Sequence, residues 1–420
     1  MPLSRRDLLR AIASGVVAAC APSPGSDNPT TDTDATKPDV ALSKAPWVSL
    51  TGATSARLRF ETLADVEVAV YVTTMSGTDR LMPTRTSAQL TYENPILIGD
   101  AAPDLPGLHV LHELVLEDLT PGEVYAWSVP TVEQTFTGTF RASPGVDKTV
   151  RIGWIADTMF PQTDATVAVL AAQAPDLFLH GGDMQYADNP ADTWQGFFHS
   201  LVPLTTIAPF HTALGNHEIE KEGELEEMFD RLFLGQGEAS FERAHAIRVG
   251  CALILMLDSE TYGLADDTQE QYEWIDAQLA AAEADDTVKA VILGWHRPLF
   301  TFSRYYDATA LVQSVMLPKL APYRKVRLGL AGHAHGYEHF RWADIDWVVD
   351  GTAGALLYDT DESIYRATQE APDLIAARLF VEREFGCTTV DVAPDGKLTV
   401  RRLRADSGDE VYRFEIPALT

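Results

Sequence analysis

The sequence predicts an α/β domain of mixed β-sheets flanked by helices, preceded by a smaller all-β domain. Two patterns carry this. Residues 45–147 show period-two alternation, in Ala56-Arg57-Leu58-Arg59-Phe60-Glu61-Thr62 and in Val66, Val68, Val70 and Val72, with turn residues between the runs. From about Lys148 onward, through 420, apolar runs of strand length alternate with stretches of helical spacing.

The elements follow in order. Val150–Asp157 and Asp176–Asp183 read as strands around a helix at 165–173. Residues 244–250 and 251–259 suggest a hairpin. Residues 267–283 have helical spacing, with Trp274, Ile275, Leu279 and Ala282 on one side. Val288–His296, Val326–His333 and Asp346–Thr352 are further strands. The tail, Cys387–Ile416, reads as strands joined by tight turns, Asp395-Gly396 being a strong hairpin signal. No repeat recurs at solenoid periods.

Composition narrows the function. The 420 residues are 46% apolar, enough for two domains and a sizeable core. A formal net charge of −29 argues against a nucleic-acid-binding surface, which needs Lys and Arg against the phosphates. It also repels any phosphate ester, so attraction must come from local positive charge such as metal ions. Cys251 and Cys387 lie in strand-like runs and read as two buried thiols, with a disulfide left open.

The N-terminus carries an address. Residues 1–20 contain Ser4-Arg5-Arg6-Asp7-Leu8-Leu9-Arg10, which fits a twin-arginine export signal. The apolar run Ala11–Ala19 is too short to span a bilayer. Val17-Ala18-Ala19-Cys20 looks like a bacterial lipobox. That resemblance implies cleavage before Cys20, acyl chains on it, and an exported protein anchored in the cell envelope. Ala21 after the cysteine leans toward the outer membrane in a Gram-negative host. Residues 21–44 are rich in Pro, Ser, Thr and Asp and read as a disordered tether.

Five short segments end apolar runs and begin polar turns. They hold Asp157; Asp183 and Tyr186; Asn216 and His217; His296; and His333 and His335. Two metal ions a few ångströms apart need a shared anionic ligand, and Asp183, closing a Gly-Gly-Asp turn, can bridge them. Imidazoles and a carboxamide oxygen complete such a set. There is no G-x-S-x-G elbow and no phosphate-binding GxxxxGK[ST] loop.

This set resembles the calcineurin-like metallophosphoesterases and, within them, the purple acid phosphatases. The resemblance implies a four-layer α/β sandwich of mixed sheets flanked by helices (148–420). It also implies that 45–147 is a fibronectin type III-like sandwich, with Tyr125 after Leu119-Thr120-Pro121-Gly122 resembling a tyrosine corner. It assigns Asp157, Asp183, Tyr186 and His335 to a first metal, and Asp183, Asn216, His296 and His333 to a second. Tyr186 stands in the family's GDxxYAD pattern, and its phenolate favours Fe(III) at the first site, with Zn, Mn or Fe at the second. Motif one departs from the family: Ala156-Asp157-Thr158-Met159 replaces Gly-Asp-x-Gly, setting a bulky Met159 beside the first metal. His217 is the expected general acid. The loop after His296 lacks the family's substrate-facing histidines. Arg304 is expected to grip a phosphoryl oxygen there, with Tyr305 and Tyr306 at a leaving group. Glu218, Asp188 and Glu338 are expected to orient ligands. His109 and His112 read as surface or structural, and His180, His199, His211, His245 and His339 fall off the ligand positions.

The implied activity is hydrolysis of phosphate monoesters of small molecules. Two alternatives stand beside it: phosphodiester or nucleotide hydrolysis at the same site, and a non-catalytic lipid-anchored binding protein.

Overall fold

A computed structural model describes residues 42–74, 77–90, 107–131, 134–184, 186, 194–219, 224–260, 267–303, 316–361 and 371–420. Cys20 and the rest of residues 1–20 read as an export signal, most of the residues read as a tether, Asp188 and the Arg304–Tyr306 triplet lie outside them. No helix of the described residues is long and apolar enough to cross a membrane.

The N-terminal domain is all-β. Strands β1 (Leu42–Gly52), β2 (Ser55–Thr62), β6 (Gly107–Leu116) and β5 (Thr84–Leu90) form one antiparallel sheet in that order. Strands β4 (Gly77–Leu81), β3 (Val70–Thr74), β7 (Val124–Pro130) and β8 (Thr135–Arg141) form the other. Trp47, Leu58, Phe60, Val70 and Trp127 fill the core. The Tyr125 hydroxyl accepts the Thr120 N–H at 2.8 Å, as a tyrosine corner requires. The strand reaches back to Leu42, so the stretch read as tether gives its last three residues to the sheet. Lys44 is buried there because Glu61 meets its ammonium at 2.6 Å. At the valine run the strand starts only at Val70, although Val68 is already buried.

The second domain packs two mixed sheets face to face. The six-stranded sheet runs β11 (Phe210–Thr212), β10 (Leu177–His180), β9 (Val150–Ile155), β20 (Gly386–Val392), β21 (Leu398–Arg404) and β22 (Glu410–Ile416). Its first three strands are parallel. The eight-stranded sheet runs β12 (Ala239–Phe241), β13 (Ala244–Val249), β14 (Ala252–Met256), β15 (Ala290–Trp295), β16 (Val326–Ala331), β18 (Ile345–Asp350), β17 (Tyr337–Trp342) and β19 (Arg378–Glu382). Here β14, β15, β16 and β18 are parallel.

Side-chain alternation shows the layers. In β9, Trp154 reaches inward to Gly294 of the facing sheet. Its neighbour Gly153 leaves room for Leu170 of helix α1 (Thr163–Ala172) on the outer face. In β14, Ile254 and Met256 join the core between the sheets. Leu253 and Leu255 instead join an outer core with Ile275 and Leu279 of a long helix (Asp267–Ala284). Two sheets between helical layers make the expected four-layer architecture.

The domains share a continuous core. Trp47 packs on Phe198 of helix α2 (Trp194–Ser200), ring centroids 4.4 Å apart. Arg59 donates to the carbonyls of Leu232 and Leu234 at 2.8 and 2.9 Å. These are C-terminal carbonyls of the helix Glu224–Phe233, groups that its own backbone leaves unpaired.

Candidate metal centre

The parallel strands of both sheets point their carboxyl ends at one place, where open α/β sheets bind ligands. Asp157 follows β9, Asp183 follows β10 and Asn216 follows β11. His296 follows β15, and His333 and His335 follow β16. Asp157, Asp183 and His333 have φ of 62°, 53° and 66°, the left-handed region that residues with a Cβ enter at a cost of about 1–3 kcal/mol.

The turned backbone is secured by the site itself. His333 N–H donates to Asp157 Oδ2 at 2.8 Å, and His217 N–H to Asp183 Oδ1 at 2.9 Å. Glu218, fully buried, accepts the N–H groups of Asp183, Met184 and Gly215, each at 2.9 Å, and so ties two loops together. Two glycines allow the close approach. A Cβ at Gly215 would sit 2.3 Å from Asp183 Oδ1, and one at Gly351 would sit 2.5 Å from Asp157 Oδ2.

Two groups of ligand atoms result, each within a 4.8 Å span: Asp183, His296 and His333, and Asp157, Asp183 and His335. Asp183 belongs to both. Asn216 Oδ1 lies 3.1 Å from His296 Nε2, which is 3.3 Å from Asp183 Oδ2 and 3.0 Å from His333 Nδ1. On the other side the Tyr186 hydroxyl lies 3.0 Å from both Asp157 Oδ1 and His335 Nε2. The far ring nitrogens are occupied: His296 Nδ1 donates to Gly181 O and His335 Nδ1 to Leu356 O, both at 2.8 Å. Those bonds fix each ring so that its Nε2 faces the cluster. Carboxylates, imidazole lone pairs, an amide oxygen and a phenol converging this closely fit two metal ions sharing one carboxylate.

Burial opposes ionisation of Asp183, but His296 overrides it and, with His217, holds this carboxyl well below the usual carboxylate range. Burial likewise works against charging His296, yet Asp183, Asp157 and Glu260 push it up to about 10. His333 is pushed down to about 2 by burial, His296 and Arg297. A cation would displace the His296 proton.

His217 stands beside the cluster. Its ring packs 4.3 Å from that of Tyr186, and its Nε2 is 3.9 Å from Asp183 Oδ2. Its side chain is 21% exposed where Asp183 is 2%, so it faces the mouth. Glu338 corrects one expectation. It accepts from Thr301 Oγ1, Phe302 N and Arg378, so it braces the loop after His296 and orients no ligand imidazole. The Met159 side chain is partly exposed to solvent. Its backbone is held by Thr163 Oγ1. His109 and His112 are both fully buried, on Glu61 and Thr62, and neither is a surface residue.

Sequence reading passed over three participants. Tyr358 stacks on His335, centroids 4.5 Å apart at 11°. Gly351 opens the space for Asp157. Both follow the apolar run of β18, the same signal that marked the other five strand ends. Arg297, directly after His296, places Nη1 at 3.1 Å from His333 Nε2.

Residues 150–337 match the family described as Calcineurin-like phosphoesterase. The chain carries a calcineurin-like metallophosphoesterase domain. Its homologues include purple acid phosphatases. Purple acid phosphatase 22 of Arabidopsis thaliana is 28% identical over 186 residues, 43% of this chain and 42% of that protein. Probable purple acid phosphatase 20 of the same plant is 24% identical over 325 residues, 74% of this chain and 71% of that protein. The purple acid phosphatase PPD1 from yellow lupin (Lupinus luteus) seeds superposes with a TM-score of 0.70 at 17% identity. That match covers 88% of this chain and 73% of the lupin chain, and it extends the shared fold beyond the metallophosphoesterase domain. The chain thus spans less than half of the first relative and about seven tenths of the second.

Proposed function

We propose that this protein is a metal-dependent phosphatase that hydrolyses phosphate monoesters of small molecules. The observation that carries the reading is the pair of ligand groups sharing Asp183 at the rim of both sheets. Asp157, Asp183, Tyr186 and His335 would hold one metal, and Asp183, Asn216, His296 and His333 the other. Two such ions supply Lewis acidity toward phosphoryl oxygens and a water of lowered pKa. Asp183 keeps the centre compact. His217, at the mouth, carries the proton that the leaving oxygen needs. Tyr186 favours trivalent iron in the first position, with zinc, manganese or iron in the second.

The test is hydrolysis of a chromogenic phosphomonoester and of its diester analogue by the purified protein, with a chelator-stripped control. Monoester turnover that needs metal is expected, abolished together with metal content in Asp183→Asn. A metal-dependent preference for the diester would move the protein to the phosphodiesterases. Turnover of neither would leave the non-catalytic binding reading. Near-normal activity of Asp183→Asn would sink the site assignment, and metal analysis without iron would overturn the role given to Tyr186.

The export signal and Cys20 support a second proposal, that the protein is carried out by the twin-arginine route and anchored by lipid. Cys20→Ala is expected to move it from the membrane to the soluble fraction of its host. An unchanged distribution would refute the anchor.

A further inference from the structure

We propose that Arg297 is the phosphoryl-binding cation of this site, a role that sequence reading gave to Arg304. The inference rests on the proposed phosphatase reading. A phosphate ester approaching a chain of net charge −29 meets buried acids at the centre itself: Asp157, Asp183 and Glu260. Donors must be placed locally to hold it.

Arg297 is built for that. Its backbone N–H donates to Ser259 Oγ at 2.9 Å. Its Nε and Nη2 both reach Glu260 Oε2 at 2.9 Å. Glu260 is 2% exposed while the Arg297 side chain is 34% exposed, so a buried carboxylate holds a guanidinium whose other edge faces solvent. Glu260 is itself fixed, its N–H donating to Asp258 Oδ1 at 2.8 Å. With the Nε side occupied, the Nη1 edge remains for an anion, and that edge lies 3.1 Å from His333 Nε2.

A guanidinium only donates, so His333 Nε2 meets it with a lone pair. The opposite nitrogen, Nδ1, faces the ligand cluster 3.0 Å from His296 Nε2. If Nδ1 held a metal, the neutral ring would carry its proton on Nε2 and could not accept from Arg297. That edge of the guanidinium would then be open to a phosphoryl oxygen beside the centre.

The experiment uses the metal-loaded protein with inorganic phosphate as probe. Arg297→Lys, and a double variant Arg297→Met with Glu260→Gln that leaves no buried carboxylate unpaired, are compared with the parent. Metal content, phosphate affinity, and KM and kcat for the chromogenic monoester are read on each. Both variants should keep two metals. In the double variant, phosphate binding should weaken and KM rise by about tenfold or more, with Arg297→Lys recovering part of the loss. Unchanged phosphate affinity with both metals present overturns the proposal. Loss of the second metal, with phosphate affinity per loaded site unchanged, also overturns it and makes Arg297 a positioning residue for His333. If the parent binds phosphate but cleaves no ester, the phosphatase reading fails while phosphate affinity still decides the role of Arg297.

Discussion

At Asp157 the decisive neighbour has no side chain. Gly351 leaves the room that Asp157 Oδ2 fills, and Gly351→Ala would force a Cβ to within 2.5 Å of it. The carboxylate must then turn, carrying with it its bond from His333 N–H. Metal content of Gly351→Ala should fall at the first site, with turnover down by about tenfold or more at a stability cost of about 1–3 kcal/mol. Full metal content in that variant would show that the loop yields instead. The ligands were legible because a polar group straight after a buried strand is costly unless it has a task. Gly351 carried the same signal but was passed over, because a glycine after an aspartate also reads as an ordinary turn. Arg297 was overlooked for a different reason: it adjoins a ligand, and what recruits it is Glu260, 37 positions earlier.

The long apolar strands were legible, while short ones such as β11 and β19, and strand placement, were not. Runs such as Ala252–Met256 and Val326–Ala331 are buried on both faces, so they lack the polar alternation that assigns a face. Only the packed structure sorts Ile254 from Leu255 into different cores. Order within a sheet is still less local. Strand β20 lies antiparallel beside β9, and Arg151 pairs with Asp391 across 240 positions at 2.7 Å. The tail's hairpins were readable from Asp395-Gly396, with Gly396 at φ 87°, because a turn needs only its own residues. Cys251, in the turn before β14, and Cys387, in β20, are both free and buried.

At the scale of the whole molecule the two domains meet through a histidine relay. The Leu50 N–H of β1 donates to His211 Nε2 at 3.1 Å, so His211 carries its proton on Nδ1. That proton points at His245 Nε2, 3.3 Å away, and His245 Nδ1 in turn faces Arg243 O at 3.4 Å. Every ring nitrogen is matched only while both rings are neutral. Burial, and then His245, hold His211 well below its ordinary value, and burial pushes His245 down to about 4. The unfolded chain keeps the ordinary value near 6.5 and takes up more protons below it. The relay's contribution is therefore complete above about pH 6.5. For His245 it is lost as pH falls from about 6.5 through about 4, at roughly 1.4 kcal/mol per pH unit. Denaturant midpoints at pH 7 and pH 4.5 should drop less in His245→Gln than in the parent, and equal drops would refute the relay. His211 and Leu50 stand 161 positions apart, which is why sequence reading could only set these histidines aside. The larger geometry has its own consequence. Asp157, Asp183, Tyr186 and Asn216 come from one sheet, and His296, His333 and His335 from the other. Each proposed ion therefore spans the seam, and filling the site and clamping the sandwich become one equilibrium. Metal supply in the compartment where the chain folds then enters its stability by mass action.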